Sequence, residues 1–523
     1  MFDCKTLGEY SDLYLKTDVM LLTDVFEKFR SVCLNTYKLD PAHFYTAPGL
    51  TWDAMLKFTK IELELFTDID MLHFIRKSVR GGISVCSHRH AVANNPYMQD
   101  NFNPSLPTSY ISYVDFNNLY GYAMQQLLPE RDFRWLTDEE ISVLNISDLK
   151  SESELGYIFE VDLEYPTHLH KSHDKLPFCP ENKLTKNCKQ KKLILDLHDK
   201  RNYVIHLDNL QQCLEHGLVL KKIHRVLSFK QSYWLKTYVD HNTTMRQNSK
   251  NNFEKDFFKL MVNSCFGKTL EDVDKRVVVK LVTHWENIGH KLGARSLIAK
   301  CNFHSFSIFS ENLCAIQLKK LKVFYNKPII VGFTVLEKSK WLLYNYYYKF
   351  LMPKYGENMT LCYVDTDSLI LHIKTGDIYR DIRENIDYYD TSNYNPDNIY
   401  QIPLVNKAVP GLLKDELAGA IMLEFIGLRS KAYCYRTELD VKKKAKGVKK
   451  SVVAKEIMIS DYLNALYNHD IIVKEQNVFR SVLHTVFLQK VRKVAISCHD
   501  TKRYILPNNV DTLAWGSCFI PED

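Results

Sequence analysis

The sequence predicts an α+β fold built from several modules, and three observations carry that expectation. The chain has 523 residues, and at roughly 150 residues per domain that length predicts three or four units. Apolar residues recur at helical spacing in some stretches and alternate at strand spacing in others. An acidic turn, Asp365-Thr-Asp367, lies between two short apolar runs, which predicts a β-hairpin with carboxylates at its tip.

The elements follow in chain order. Residues 12–37 read as a helix, because Leu13, Leu15, Val19, Leu22, Val25, Phe26 and Phe29 recur near helical spacing. Residues 39–110 mix short helices with Pro, Gly and Asn breaks. Ile111-Ser-Tyr-Val-Asp115 alternates as a strand does and runs into a helix-like Asn-Asn-Leu-Tyr-Gly-Tyr-Ala-Met. Residues 157–163 are a second strand candidate, and the Pro-, His- and Lys-rich segment 165–192 reads as a loop. Two helices are expected at about 229–248 and 253–268, with Ser249-Lys-Asn-Asn252 as the turn between them. Residues 311–352 read as largely helical. Leu361-Cys-Tyr-Val and Ser368-Leu-Ile-Leu-His-Ile read as the strands of the acidic hairpin.

Composition narrows the class. Hydrophobic residues are 46% and charged residues 25%, as in ordinary globular proteins, and 18 glycines with 16 prolines exclude a low-complexity chain. No uninterrupted apolar run reaches the length of a membrane span, so no membrane partner is expected. The start, Met-Phe-Asp-Cys-Lys, lacks the apolar run of a signal peptide. Thirteen cysteines without a C-x-x-C pair suit a reducing compartment. An intracellular protein of the nucleus or cytoplasm, not a secreted one, is expected.

The net charge of +7 has a location. The 27 residues from Arg429 to Lys455 hold ten basic and two acidic residues, a net +8, with Tyr433 and Tyr435 among them. Such a strip suits a polyanion such as nucleic acid; the plainer reading is a solvated lysine-rich loop. His168, His170, His173, Cys179 and Cys188 offer zinc-type ligands, but without a C-x-x-C or knuckle spacing a polar loop is the better reading.

Three constellations carry chemistry. In Tyr113-Val-Asp115-Phe-Asn-Asn-Leu-Tyr120, a carboxylate ends a buried strand where the chain turns into a helix, a rigid support for a group aimed at a ligand. In Tyr363-Val-Asp365-Thr-Asp367-Ser368, two carboxylates stand between apolar flanks. Buried carboxylates are costly unless paired or bound to metal, and hard oxygen ligands favour Mg²⁺ or Mn²⁺. An ordinary surface turn is the alternative. In the third, Lys255, Lys259, Asn263 and Gly267 recur every four residues, one slowly drifting stripe on a helix. Arg246 and Lys250 lie four apart just before it and can face the same gap. Four cations sharing one cleft call for an anion, and a triphosphate fits. The plainer reading is the wet face of a helix whose Phe253, Phe257, Phe258, Leu260 and Met261 face a core.

Together these residues resemble family B DNA polymerases, and within them the protein-primed group of organelles, viruses and transposons. Asp115-Phe-Asn-Asn-Leu-Tyr-Gly121 is similar to D-x-x-S-L-Y-P, with Asn118 and Gly121 in place of Ser and Pro. Lys259-Leu-Met-Val-Asn263-Ser-Cys-Phe-Gly267 is similar to K-x-x-x-N-S-x-Y-G, with Phe266 in place of Tyr. Tyr363-Val-Asp-Thr-Asp-Ser368 matches Y-x-D-T-D-S in full. Lys431-Ala-Tyr433 resembles the K-x-Y element, and Arg80-Gly81-Gly82 the Y-x-G-G linker without its Tyr. Tyr14-Leu-Lys-Thr-Asp18 resembles the third exonuclease motif, Y-x-x-x-D; the first two would lie before residue 1, so an N-terminally truncated chain without proofreading is expected.

The resemblance implies a right-hand polymerase. Its palm is an antiparallel sheet, its fingers a helical hairpin, and its thumb follows, all preceded by a partial, ribonuclease H-like exonuclease. The implied boundaries are 1–78 for the exonuclease part, 79–228 for the first palm part with an insertion, and 229–270 for the fingers. Residues 271–360 hold a second insertion and the palm entry, 361–436 the palm with its hairpin, and 437–523 the thumb. The resemblance implies two Mg²⁺, or Mn²⁺ in their place, on Asp115, Asp367 and the Phe116 carbonyl, with Asp365 beside them. It assigns the nucleotide to Leu119, Tyr120, Arg246, Lys250, Lys259, Asn263 and Gly267. It assigns DNA to Arg80, Gly81, Gly82, Lys431, Tyr433, Lys446, Lys449 and Lys450. The implied partners are a DNA template-primer, deoxynucleoside triphosphates and a terminal protein primer. A glycosyltransferase using Asp-x-Asp, or an inactive nucleic-acid-binding remnant, are the other classes the residues allow.

Overall fold

A computed structural model describes residues 4–185, 188–482 and 485–521. Its centre is a ten-stranded, mainly antiparallel sheet. The main path runs Ser84–Cys86, Met359–Asp365, Ser368–Lys374, Ser109–Phe116, Met422–Arg429, Ala432–Thr437 and Val441–Ala445. Leu413–Asp415 also pairs with Ser109–Phe116, alongside its end at Asp115. Strands that meet here come from positions hundreds of residues apart, so the sheet is held by burial rather than by local turns. Tyr110, Val114, Phe116, Leu361, Cys362, Val364, Leu369 and Leu371 are almost wholly buried.

A four-stranded antiparallel sheet, ordered Leu128–Trp135, Val219–Ser232, Leu155–Glu164 and Lys200–His206, forms the first excursion between the two acidic motifs. A three-stranded sheet, Val277–Val282, Leu313–Lys319 and Phe303–Ser310, forms the second. Between them stand the helices Lys236–Gln247 and Asn252–Thr269. Helix Ile329–Asn345, continued by a π-helical turn at Tyr346–Leu351, packs against helices Leu119–Met124, Leu207–Glu215 and Asn252–Thr269. A long two-stranded hairpin, Ile472–Val482 with Thr485–Ile496, projects near the C-terminus.

The N-terminal helix spans Leu7–Tyr37 and starts five residues earlier than its apolar pattern suggests. Thr6 accepts a hydrogen bond from the Glu9 N–H at 3.1 Å, and the Glu9 carboxylate accepts from the Thr6 N–H; this capping box sets the start. Of this helix only Cys33 and Tyr37 are buried.

Three expectations need correction. The helix expected from 229 begins at Lys236, because residues 229–232 complete the strand Val219–Ser232, paired on both sides within its sheet. The helix expected from 311 begins at Ile329. Leu313–Lys319 is a strand in which Cys314, Ile316 and Leu318 alternate into a small core, a period of two that apolar Leu313 and Ala315 on the other face disguise. The loop expected at 165–192 holds a short helix, His170–His173, and a strand, Glu181–Lys183, that pairs with Lys192–Ile194.

Candidate active site

The two acidic motifs meet in adjacent strands. Ser109–Phe116 pairs with Ser368–Lys374, and Asp115 stands opposite Ser368, next to Asp367. The Phe116 N–H donates to the Asp367 carbonyl at 2.8 Å, which fixes the end of one strand to the turn of the other. Residues 252 apart in sequence are thereby neighbours. The hairpin tip is tight: Asp365 pairs with Ser368, the Asp367 N–H donates to the Asp365 carbonyl at 2.8 Å, and Thr366 has φ +67°.

Burial dominates the electrostatics. Burial, then the neighbouring Asp367, push the Asp115 carboxyl up to about 8. Burial also raises that of Asp367, and Glu416 adds like charge to both. Lys259 acts on both in the opposite sense, as Lys414 does on Asp115. Two crowded carboxylates with this imbalance favour either a shared proton or a bound cation. Asp365 is differently placed: its two oxygens each accept from Lys431 Nζ at 2.7 Å. Among the described residues no group of three or more His, Cys, Asp or Glu side chains is gathered as a metal cluster. The donors for a hard divalent ion are therefore the two carboxylates and backbone oxygens, a set that fits Mg²⁺ or Mn²⁺.

These groups open onto a cleft of about 1030 Å³. Tyr113, Asp115, Tyr120 and the hairpin tip form one wall, and Lys431, Tyr433 and residues 440–448 the other. In the second wall Tyr433 stands opposite Lys444 and Tyr435 opposite Lys442, so aromatic rings and lysines share one face of the sheet. The Lys446 N–H donates to the Lys431 carbonyl at 3.0 Å and Lys449 Nζ to the Asn477 carbonyl at 3.2 Å. The basic strip thus joins the sheet to the projecting hairpin. Tyr433 is itself buried against Tyr363, whose hydroxyl accepts from the Lys431 N–H at 2.8 Å.

The helix after Asp115 is built around the two departures from the motif. Asn118, at φ +40°, caps it by accepting from the Gly121 N–H at 3.3 Å. A proline at 121 has no N–H to donate, and any Cβ there would overlap the Asn118 side chain. The two substitutions therefore explain each other. Tyr120 stacks on Phe266 with ring centroids 4.5 Å apart, bringing the second motif against the first.

On helix Asn252–Thr269 the stripe is as expected. Lys255, Lys259 and Gly267 are exposed and Asn263 half-buried, while Phe257, Phe258, Met261 and Val262 are buried. Phe253 and Leu260 stay exposed, outside the core assigned to them. Space is open where a Gly267 side chain would stand, and the Asn263 side-chain oxygen is buried without a partner. Arg246 is in the last turn of helix Lys236–Gln247 and Lys250 in the turn between the two helices, whereas Lys259 stands in the middle of the second helix; none of the three lines the cleft.

Other expected residues sit elsewhere. The Leu119 side chain is buried and does not line the cleft. Arg80 is also buried, with its guanidinium 3.9 Å over the Tyr203 ring, so it offers nothing to DNA in this arrangement. Gly81 is open, and Gly82 abuts Thr366 at the hairpin tip. Tyr14 and Asp18 stand on the exposed part of the first helix, away from the cleft. His170 and His173 are taken by other bonds, to the Cys518 N–H and the Tyr165 hydroxyl, and form no zinc cluster with the cysteines among the described residues. Sequence reasoning passed over Glu416 and Lys502. Glu416 follows a three-residue strand too short to read. Lys502, which donates to the Ser84 carbonyl at 2.7 Å and is lowered to about 8 by burial, sits in a segment without periodicity.

The sheet, its paired acidic motifs and its basic cleft define the right-hand polymerase fold, and the chain belongs to the DNA polymerase type B family, organellar and viral, whose model matches residues 6–330. Among solved structures it is similar to Phi29 DNA polymerase in an orthorhombic crystal form, with a TM-score of 0.57 and 14% identity over 94% of this chain and 73% of that one. Phi29 DNA polymerase complexed with primer-template DNA and incoming nucleotide substrates gives 0.54 and 15% over the same shares. The binary complex with primer-template DNA gives 0.54 and 17%. At these identities the likeness is one of fold. No curated protein matches the chain. Among the described residues no helix is long and apolar enough to cross a membrane.

Proposed function

We propose that this chain is a DNA-directed DNA polymerase that extends a primer 3′-hydroxyl, or a protein primer, in replicating a viral or mobile-element genome. The observation that carries the reading is the Asp115–Asp367 pair: two crowded carboxylates, one of them raised to about 8, facing a lysine-lined cleft. Phosphoryl transfer needs positioning and charge neutralisation more than covalent chemistry. Asp115, Asp367 and the Phe116 carbonyl are the groups that would hold divalent ions, Mg²⁺ or Mn²⁺. Such ions, when bound, supply Lewis-acid neutralisation of the triphosphate and of the attacking hydroxyl.

The chain's own residues supply the rest. Lys259, already near both aspartates, holds the triphosphate. Arg246 and Lys250 reach the same triphosphate only if the helical pair swings toward the cleft. Asn263 and Gly267 face the nascent base pair across the open space beside Gly267. Tyr120, braced by Phe266, stands under the sugar and excludes a 2′-hydroxyl. Lys431, oriented by Asp365, meets the primer terminus, and the lysines at 442–450 the duplex phosphates. The fingers run from helix Lys236–Gln247 to residue 270, the thumb is 437–523, and the four-stranded sheet, whose last strand ends at Ser232, is the surface offered to a terminal protein. Such a protein works where the element replicates, in the nucleus or cytoplasm.

Primer extension on a primed template with deoxynucleotides and Mg²⁺ tests the reading. The wild type is expected to extend. Asp115→Ala and Asp367→Ala are expected to lose extension while keeping fold and DNA binding. Extension by both variants ends the assignment.

A further inference from the structure

Helix Ile329–Asn345 carries Glu337, Lys338 and Lys340 in its buried middle. Burying an ion cluster adds little net stability, so its consequence lies in what it holds. Lys340 Nζ donates to the Arg80 carbonyl at 2.8 Å and to the Leu336 carbonyl at 2.9 Å. The Glu337 carboxylate is 3.5 Å from Lys340 Nζ and 3.9 Å from the Arg80 guanidinium. The guanidinium lies over Tyr203 and donates to the Val204 carbonyl. Arg80 is thus fixed at both its main chain and its side chain.

The next four residues carry that fixation to the catalytic hairpin. Gly82 packs on Thr366 so closely that a Cβ would overlap its Oγ1 and Cγ2. The Thr366 N–H donates to the Ile83 carbonyl at 2.7 Å, and Ser84 pairs with Asp365. Thr366 is β-branched yet left-handed, a conformation that persists only where the surroundings impose it. Asp367 follows directly.

We infer that the Glu337–Lys340–Arg80 cluster is a brace that sets the hairpin tip relative to Asp115, and that Lys340 is a positioning residue for divalent-ion binding by Asp115 and Asp367. The inference rests on the polymerase reading above. Positioning groups of this kind typically change metal affinity by about 10- to 100-fold when removed.

The test compares the full chain with Lys340→Met, Glu337→Gln and Gly82→Ala, which strike opposite ends of the brace. Free Mn²⁺ is followed by electron paramagnetic resonance, and primer extension gives kcat and the nucleotide KM. Each variant that remains folded by circular dichroism is expected to bind Mn²⁺ about tenfold more weakly and to lose kcat. The primer-template Kd of Lys340→Met and Glu337→Gln is expected to hold. Thr366→Gly, which removes the overlapping atoms, is expected to restore Mn²⁺ binding to Gly82→Ala. Wild-type Mn²⁺ affinity in folded Lys340→Met or Glu337→Gln overturns the brace alone. A wild type that binds no Mn²⁺ overturns the polymerase reading and the brace together.

Discussion

Asp115→Asn should stabilise the metal-free protein while abolishing its activity. The carboxyl titrates at its ordinary value of 3.8 when unfolded and at about 8 when folded. At about 1.4 kcal/mol for each tenfold in proton affinity, that difference sets an upper bound of about 6 kcal/mol. Asp115 is only half-buried beside an open cleft, so solvent screening leaves about a third of it, roughly 2 kcal/mol. The sign follows from proton counting. Between pH 4 and 8 the folded state holds a proton that the unfolded state has released, so wild-type stability falls as pH rises through that window. Asparagine removes this dependence. Urea denaturation in EDTA at pH 5 and at pH 8 measures it: the variant should gain on the wild type at the higher pH, and Mn²⁺ should narrow the gap by stabilising only the wild type. A variant less stable than the wild type at both pH values would refute the crowded-carboxylate account.

Three further outcomes are expected. Tyr120→Val should raise ribonucleotide incorporation about tenfold or more, roughly 1.4 kcal/mol of sugar discrimination; unchanged discrimination removes its role under the sugar. Replacing Lys446, Lys449 and Lys450 by Gln should weaken DNA binding evenly across sequences and flatten the dependence of log K on log salt by about one for each phosphate no longer neutralised. A sequence-dependent loss points instead to base readout. Gly121→Pro should cost about 1 kcal/mol through the missing cap and more through overlap with the Asn118 side chain, measured by urea denaturation, and adding Asn118→Ser should recover only the part due to the overlap; equal stability of Gly121→Pro and wild type shows that neither the cap nor the overlap carries weight.

What the sequence makes legible depends on range. The acidic hairpin is plain because Leu361–Val364 and Ser368–Ile373 are apolar on both sides of a polar turn, a local pattern. The first helix is plain because its repeat runs for many turns. The strand Leu313–Lys319 is hidden because only three of its residues point inward. The site shows the same division. Asp115 and Asp367 stand out because each ends an apolar strand. Arg80 misleads because an arginine before two glycines reads as solvent-facing, whereas its partners, Tyr203 and Glu337, lie more than a hundred residues away. The Lys431–Asp365 pair is equally silent in sequence. Arg246 and Lys250 are four residues apart, as Lys255 and Lys259 are, but equal spacing on either side of a turn says nothing about direction.

Asp115 and Asp367 bracket most of the chain's excursions, yet they rest on neighbouring strands stitched by a backbone bond. Both ends of the long intervening stretch are anchored at one spot. Lengthening such a closed detour costs only logarithmically in chain entropy. Whole subdomains can therefore be grafted into or trimmed from that stretch without moving the two carboxylates. The chemistry is insulated from the growth of the architecture around it.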